Sequence, residues 1–248
     1  MNWSVEQRDA VEFLASLEAD SADMILTDPP YMISSNIKIG RSANVKYKGL
    51  DVNLDFGEWD KQWESEEEYW AWCETWLLEC ARVLKPECHF VFFFDIKKIT
   101  PTWRFCESKK MNLRGRHPLY WLKSNPMPRG RKVDFQKALE QALWFTKGDV
   151  RQTHFNWELG QQTNYVKAGL PNNPRVHPTQ KPVSVLSVWI RYLSKPGDLV
   201  VDPFCGSGST GMAALAEGRQ FLGNDLDPKS YKLAQARCAM AALQGRLL

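Results

Sequence analysis

The sequence predicts an α/β fold built on a largely parallel sheet, and three observations carry that prediction. From residue 182 onward, apolar helix and strand patterns alternate in β-α-β-α order, which sets consecutive strands side by side in parallel. Two strands of buried character, 23–27 and 199–201, each run straight into a loop rich in Pro or Gly, as strands do at the carboxyl edge of an open parallel sheet. The length, 248 residues, suits one or two domains. A chain of this size buries about 70 to 75% of its unfolded surface, so neither disulfide nor metal is needed for folding.

The elements follow in order. Residues 2–8 read as a short strand, and 10–17 as a short amphipathic helix with Val11, Leu14 and Ala15 inward. Strand 23–27 stops at Asp28-Pro29-Pro30-Tyr31, because two prolines lack the amide donors a ladder requires. Residues 32–50 carry Lys38, Arg41, Lys46 and Lys48 with small polar residues and no acid, which predicts a long, mobile basic loop. Ser65-Glu66-Glu67-Glu68 is a capping box, and Tyr69, Trp72, Cys73, Trp76, Leu77, Cys80 and Leu84 continue it at helical spacing until Pro86. The tryptophans of this helix read as core. Strands are expected at 89–94, 119–123 and 142–146, with a loop at 124–133, whereas 150–181 shows no periodicity. A helix containing Val185, Leu186, Trp189, Ile190 and Leu193 ends at Lys195-Pro196-Gly197-Asp198. Strand 199–201, a helix to 217, strand 221–225 and a helix from 229 complete the pattern.

Composition narrows the function classes. Hydrophobic residues at 44% and charged residues at 25% exclude disorder, collagen-like repeats and coiled coil. Apolar runs such as Phe90-Val91-Phe92-Phe93-Phe94 fall far short of the roughly 18 residues of a membrane span. Glu6 and Asp9, with no basic region and apolar block before them, argue against a secretory signal. The six cysteines contain no C-x-x-C pair and read as core thiols of a reducing cytosol, so the expected location is cytoplasmic. No metal is expected, since His89, His117 and His154 lack ligand spacing, and no Ser-His-Asp or Cys-His arrangement is legible.

The net charge of +3 is unevenly distributed. Residues 51–88 hold eleven acids against Lys61, Arg82 and Lys85, a net of −8, whereas 97–137 hold twelve bases against Glu107 and Asp134, a net of +10. Such contrast suggests one face meant for a polyanion and another held away from it. Arg129, Arg131 and Lys132, in a Pro/Gly-rich loop, are the leading candidates for that contact. Solvated helix faces are the plainer reading of the acidic block.

Two constellations carry chemistry. Gly206-Ser207-Gly208-Ser209-Thr210-Gly211 is a G-x-G-x-x-G between a strand and a helix, and Asp225 ends the next strand, where a carboxylate can accept hydrogen bonds from both hydroxyls of a ribose. The plainer reading is a tight turn with Asp225 as a cap. Asp28-Pro29-Pro30-Tyr31 is more specific: a stiff turn fixes the Asp28 carboxylate and the Pro29 carbonyl beside a flat ring. Two acceptors and a stacking surface suit an exocyclic amino group on a planar base. Both loops follow buried strands and can face one crevice.

Asp28-Pro29-Pro30-Tyr31 together with Asp202-Pro203-Phe204-Cys205-Gly206-Ser207-Gly208 resembles the paired signatures of DNA amino-methyltransferases dependent on S-adenosylmethionine. With the catalytic motif first and the cofactor loop late, the order resembles their circularly permuted β class. His177-Pro178-Thr179-Gln180-Lys181-Pro182, the 82–86 segment, 121–123 and 140–147 match further parts of that class. The resemblance implies a Rossmann-like methyltransferase fold with a mostly parallel seven-strand sheet, a single domain over 1–248 and a small DNA-recognition insertion around 124–175. It implies catalytic roles for Asp28, Pro29, Pro30 and Tyr31. Pro203, Phe204, Gly206, Ser207, Gly208 and Ser209 would line the methionine part of the cofactor, Asp225 its ribose and Asp9 and Ala10 its adenine, with Lys181 near its carboxylate. Double-stranded DNA is the implied partner, and the charge distribution nominates Lys38, Arg41, Lys46, Lys48, Arg129, Arg131 and Lys132 as its contacts. A homodimer and a cognate restriction endonuclease are further partners it allows. The chain departs from the pattern at Cys205, where alanine is common, at Asp225, where glutamate is usual, and at Ser230, often a tyrosine.

The implied reaction is methyl transfer to N6 of a flipped-out adenine. N4 methylation of cytosine stays open as an alternative, then methylation of RNA adenine. A nicotinamide-dependent dehydrogenase using the glycine loop would leave the Asp28 motif without a job, and a non-catalytic DNA-binding module would leave both motifs unused.

Overall fold

Strands β2 (Ala22–Thr27) and β8 (Leu199–Asp202) are parallel neighbours, with Met24 opposite Val200 and Ile25 opposite Val201. That register brings the two motif-bearing loops out side by side. The structure is a computed structural model that describes residues 2–32, 63–127, 133, 135–171 and 180–244. The remaining strands are β1 (Trp3–Glu6), β3 (Leu84–Phe93), β4 (Leu113–Gly115), β5 (Leu119–Lys123), β6 (Leu139–Lys147), β7 (Tyr165–Ala168) and β9 (Gln220–Asn224). The described strands form one sheet in the order β1-β9-β8-β2-β3-β6-β5-β7, with β4 also paired to β6. Pairs β1/β9, β9/β8, β8/β2, β2/β3 and β5/β7 are parallel, and β6 runs antiparallel to β3, β4 and β5.

Helices cover both faces. Met24, Leu26, Val91 and Phe93 point to one side, against α4 (Val183–Leu193), α5 (Ser209–Ala216) and α6 (Pro228–Gln244). Ile25, Phe90 and Phe92 point to the other, against α1 (Ala10–Ala15) and α2 (Glu66–Val83). Burial on both faces explains why β2 and β3 read as near-continuous apolar runs rather than alternating ones. A further helix, α3 (Ile99–Cys106), follows a 3₁₀ turn at Ile96–Lys98. No helix among the described residues is long and apolar enough to cross a membrane.

The structure corrects several expectations. Among the described residues the sheet has nine strands rather than seven, the additional two being β4 and β7, of three and four residues. The helix expected to run to Pro86 ends at Val83, and β3 begins at once. Between Ala22↔Leu84 and Met24↔His89 the register shifts, so Pro86 sits in a bulge where no ladder donor is demanded of it, beside Glu87 at φ 64°. On α1 the buried residues are Ala10, Phe13 and Leu14; Ala15 is exposed. The capping box is half formed: Ser65 accepts from the Glu68 amide, but the Glu68 carboxylate reaches the Glu64 amide instead of that of Ser65.

Candidate active site

Four neighbouring parallel strands, β1, β9, β8 and β2, deliver their carboxyl-terminal loops to one edge of the sheet. Asp9 follows β1, Asp225 follows β9, Asp202 ends β8 with Pro203 to Gly206 after it, and Asp28 follows β2. They line an open cleft, whose volume is about 1000 Å³ with the open solvent at its mouth included, together with Ala10, Trp72, Gln180 and Lys181. Pro30, Pro203, Phe204, Ser207 and Ser209 line it too; Pro29, Tyr31 and Gly208 do not.

At one end, the Asp225 carboxylate accepts from the Gly206 amide at 2.8 Å and the Asp227 amide at 3.0 Å. Each oxygen keeps a further lone pair for a ligand hydroxyl. Burial pushes the carboxyl up to about 6 against the pull of those two amides, so it is mostly ionised at neutral pH. Asn224 ties the edge together, donating to the carbonyls of Arg8 (3.0 Å) and Pro203 (3.2 Å) and accepting from the Arg8 amide. Asp9 caps α1, its Oδ1 accepting from the amides of Val11 and Glu12.

The three glycines of the motif, the last of them within α5, divide their roles. Gly206, at φ 50°, faces the cleft. Gly208, expected to line the cofactor, instead lies against α6: at φ 76° a Cβ there would sit 2.9 Å from the Cα of Ala234. A Cβ on Gly211 would lie 2.4 Å from Cys238 Sγ and 2.6 Å from the Phe221 ring. Close packing against α6 and β9 thus accounts for the second and third glycines.

At the other end, the Asp28 turn is clamped. Tyr69 Oη of α2 donates to the Pro30 carbonyl at 2.9 Å, and Lys98 Nζ donates to the Tyr31 carbonyl. Among the described residues no hydrogen bond reaches the Pro29 carbonyl. The Tyr31 hydroxyl donates to Asp28 Oδ1, and the Lys181 ammonium to Asp28 Oδ2. Burial and then the Asp28 charge push the Tyr31 hydroxyl well above its ordinary value, so it remains a donor. Burial disfavours the Lys181 ammonium, but the charges of Asp28 and Glu140 outweigh it and hold the group protonated.

Sequence reasoning missed Trp72 and Thr27 as lining residues; Gln180 lines the cleft as a neighbour of Lys181, and Asp202, read only as the start of the glycine-loop motif, lines it too. Trp72 carried no distinguishing signal, since its spacing is that of the core face. Nor is the basic segment only a surface: Lys98 is buried on Tyr31, Lys123 holds Glu140, and Arg116 lies 5.0 Å over the Trp144 ring. Lys38, Arg41, Lys46, Lys48, Arg129, Arg131, Lys132 and His177 lie outside the described residues. All six cysteines are free.

Asp202 has a measurable signature. It is 2% exposed, accepts from Thr27 Oγ1 at 2.6 Å and the Phe204 amide at 3.1 Å, and burial pushes its carboxyl up to about 7. The folded protein thus holds a proton that the unfolded chain releases above about pH 4, so this group's contribution to stability declines as pH rises from about 4 through about 7. Asp202→Asn is expected to make that decline shallower by up to about 1.4 kcal/mol per pH unit. Urea unfolding at several pH values checks this, and an unchanged slope would contradict it.

Comparison with known proteins gives concordant results. A family model described as DNA methylase, for N6 and N4 methylation, matches residues 22–236. Type II methyltransferase M.HinfI of Haemophilus influenzae is 30% identical over 245 residues, covering 92% of this chain and 66% of that protein, just under two thirds of its length. Type II methyltransferase M2.DpnII of Streptococcus pneumoniae is 32% identical over 241 residues, covering 92% and 87%. Among solved structures, the M1.HpyAVI-SAM complex matches with TM-score 0.72 at 23% identity, over 95% of this chain and 98% of that one. PvuII DNA methyltransferase (cytosine-N4-specific) matches with TM-score 0.73 at 20% identity, over 96% and 86%. Both share the α/β fold with its mostly parallel sheet.

Proposed function

Because this chain belongs to the N6/N4 DNA methylase family, we propose that it transfers a methyl group from S-adenosylmethionine to N6 of adenine in double-stranded DNA. The observation that carries this reading is the joining, in one cleft, of the Asp28 carboxylate with the Asp225–Gly206 pocket. The catalytic turn preceding the glycine loop in the chain supports a place in the permuted β class.

The residues present fit the cofactor. The ionised Asp225 offers two acceptors to a diol, Gly206 lets a ligand approach the backbone, and the cleft has room for a nucleoside bearing an amino-acid arm. Asp9 and Ala10 would border its adenine, with Pro203, Phe204, Ser207 and Ser209 along its methionine part and Lys181 near its carboxylate. When bound it supplies an electrophilic methyl group on a sulfonium.

The protein's part is positioning. A target base must leave the stack, since Asp28 cannot reach an amino group inside a duplex, at a cost of a few kcal/mol. The Tyr31 ring, tethered through its hydroxyl to Asp28, is the proposed stacking surface. Asp28 and the Pro29 carbonyl accept the two amino hydrogens, which favours a pyramidal nitrogen with its lone pair aimed at the methyl group. With the methyl group so presented, the nitrogen–carbon bond would form as the carbon–sulfur bond breaks and the thioether product leaves, the amino proton passing late to Asp28 or to solvent, and orientation would contribute most of the acceleration. Asp rather than Ser before Pro29-Pro30 favours adenine over cytosine.

DNA is held by the basic residues of 32–50 and of the 124–175 recognition insertion, within a single methyltransferase unit over 1–248. Neutralising Arg129, Arg131 and Lys132 together should lower the salt slope of duplex binding by about 0.9 for each phosphate these side chains neutralise in the parent. Affinity measured against salt checks this; an unchanged slope would move the DNA face elsewhere. A second copy of the chain and a cognate restriction endonuclease complete the proposed partners, in the cytoplasm. The reading is tested by incubating the protein with methyl-labelled cofactor and duplex DNA from a methylation-deficient host. Label in DNA and not in an equal mass of RNA is expected, and label in neither would overturn the reading.

A further inference from the structure

Behind Asp28 lies a row of four side chains with alternating charge. Glu140, on β6 opposite Trp121 of β5, accepts from Lys123 Nζ at 2.5 Å through Oε1. Its Oε2 lies 3.7 Å from Lys181 Nζ, and Lys181 in turn donates to Asp28. Lys181 is 7% exposed and sits 4.6 Å over the Phe93 ring, so its ammonium depends on these carboxylates rather than on water.

We propose that Glu140 is a positioning residue for methyl transfer: by sharing the Lys181 ammonium with Asp28, it sets how strongly Asp28 can accept the target amino group. The inference rests on the methyltransferase reading above and deepens it. An acceptor already bonded to a cation is a weaker acceptor for a second donor. With Glu140 present, the ammonium divides its attraction between two carboxylates, and Lys123 balances the row to zero net charge. Without the Glu140 charge, Asp28 is the carboxylate left on Lys181 among the described residues. The pair then tightens, and the oxygen that must meet the amino hydrogen is drawn back toward the lysine. Burial alone would push the Glu140 carboxyl up, but Lys181 and Lys123 hold it below its ordinary value, so the charge is in place at working pH.

The geometry separates rate from ribose binding, since among the described residues Glu140 meets the proposed cofactor site only through Lys181. Glu140 touches Lys123 and Lys181, whereas the Asp225 carboxylate is held by the amides of Gly206 and Asp227. Glu140→Gln, nearly isosteric, should lower kcat about 10- to 100-fold while cofactor affinity stays within about threefold of the parent. Glu140→Asp, which keeps the charge, should recover part of the rate.

The test measures labelled methyl transfer to duplex DNA and cofactor affinity by calorimetry for the parent, Glu140→Gln, Lys181→Met and the double variant. If Glu140 acts through Lys181, Glu140→Gln adds nothing further in the Lys181→Met background. Additive losses, or an unchanged kcat in Glu140→Gln, would overturn the proposal. Lys123→Met tests it with the opposite sign: Glu140 then draws the ammonium from Asp28, so kcat does not fall, and a loss equal to that of Glu140→Gln would overturn it. No transfer by the parent itself would overturn the methyltransferase reading, and this inference with it.

Discussion

Asp28→Ala is expected to slow methyl transfer by about 100- to 10,000-fold while cofactor affinity stays within about threefold of the parent. The carboxylate is the one charged acceptor on the stiff turn after β2, aimed by the Tyr31 hydroxyl and the Lys181 ammonium. Its removal takes away an interaction that grows as the amino nitrogen pyramidalises, so the loss falls on kcat. Folding should survive, because Lys181 retains Glu140 and is not left as an uncompensated buried cation. Rapid-quench measurement of one turnover, alongside calorimetry of the cofactor, reads both quantities. Turnover within a few-fold of the parent would rule out the assigned role.

Asp225→Ala is expected to weaken cofactor binding by roughly 1.5 to 3 kcal/mol, the range for a charged hydrogen-bond partner. The carboxylate also holds the Gly206 amide at 2.8 Å, so its loss loosens the glycine loop as well as removing the ribose acceptor. A second signature follows from its elevated titration. With the carboxyl at about 6, the parent's cofactor affinity should weaken as pH falls through about 6, and this dependence should disappear in the variant. An unchanged dissociation constant in a folded Asp225→Ala protein would sink the ribose assignment.

The two loops are legible in the sequence because their residues have few other uses. A Pro29-Pro30 pair after an apolar strand must leave the sheet, and three glycines between a strand and a helix mark a close approach, here to a ligand at Gly206 and to α6 and β9 at Gly208 and Gly211. Strands β2, β5 and β8 and helix α4 are readable from apolar runs bounded by Pro or Gly. Other parts leave no such trace. β7 alternates only between exposed and half-buried positions, so no apolar period marks it, and the three residues of β4 are too few to display one. Helix α3 has Pro101 in its first turn and a basic flank that reads as surface. Within the site, the charged row behind Asp28 is the part least visible in the sequence. Lys123, Glu140 and Lys181 lie far apart in the chain, and only the pairing of β5 with β6 brings the first two together. For the same reason Lys98 and Lys123 read as surface charge, although both point inward.

If this cleft directs a methyl group to the exocyclic amine of adenine, the modified base itself must show it. Mass analysis of nucleosides from DNA incubated with the protein and isotope-labelled cofactor reads that base without intermediaries. Labelled N6-methyladenine is expected, and it should be absent when Asp28→Ala replaces the parent. Labelled N4-methylcytosine in its place, or nucleosides without label, would contradict the assignment.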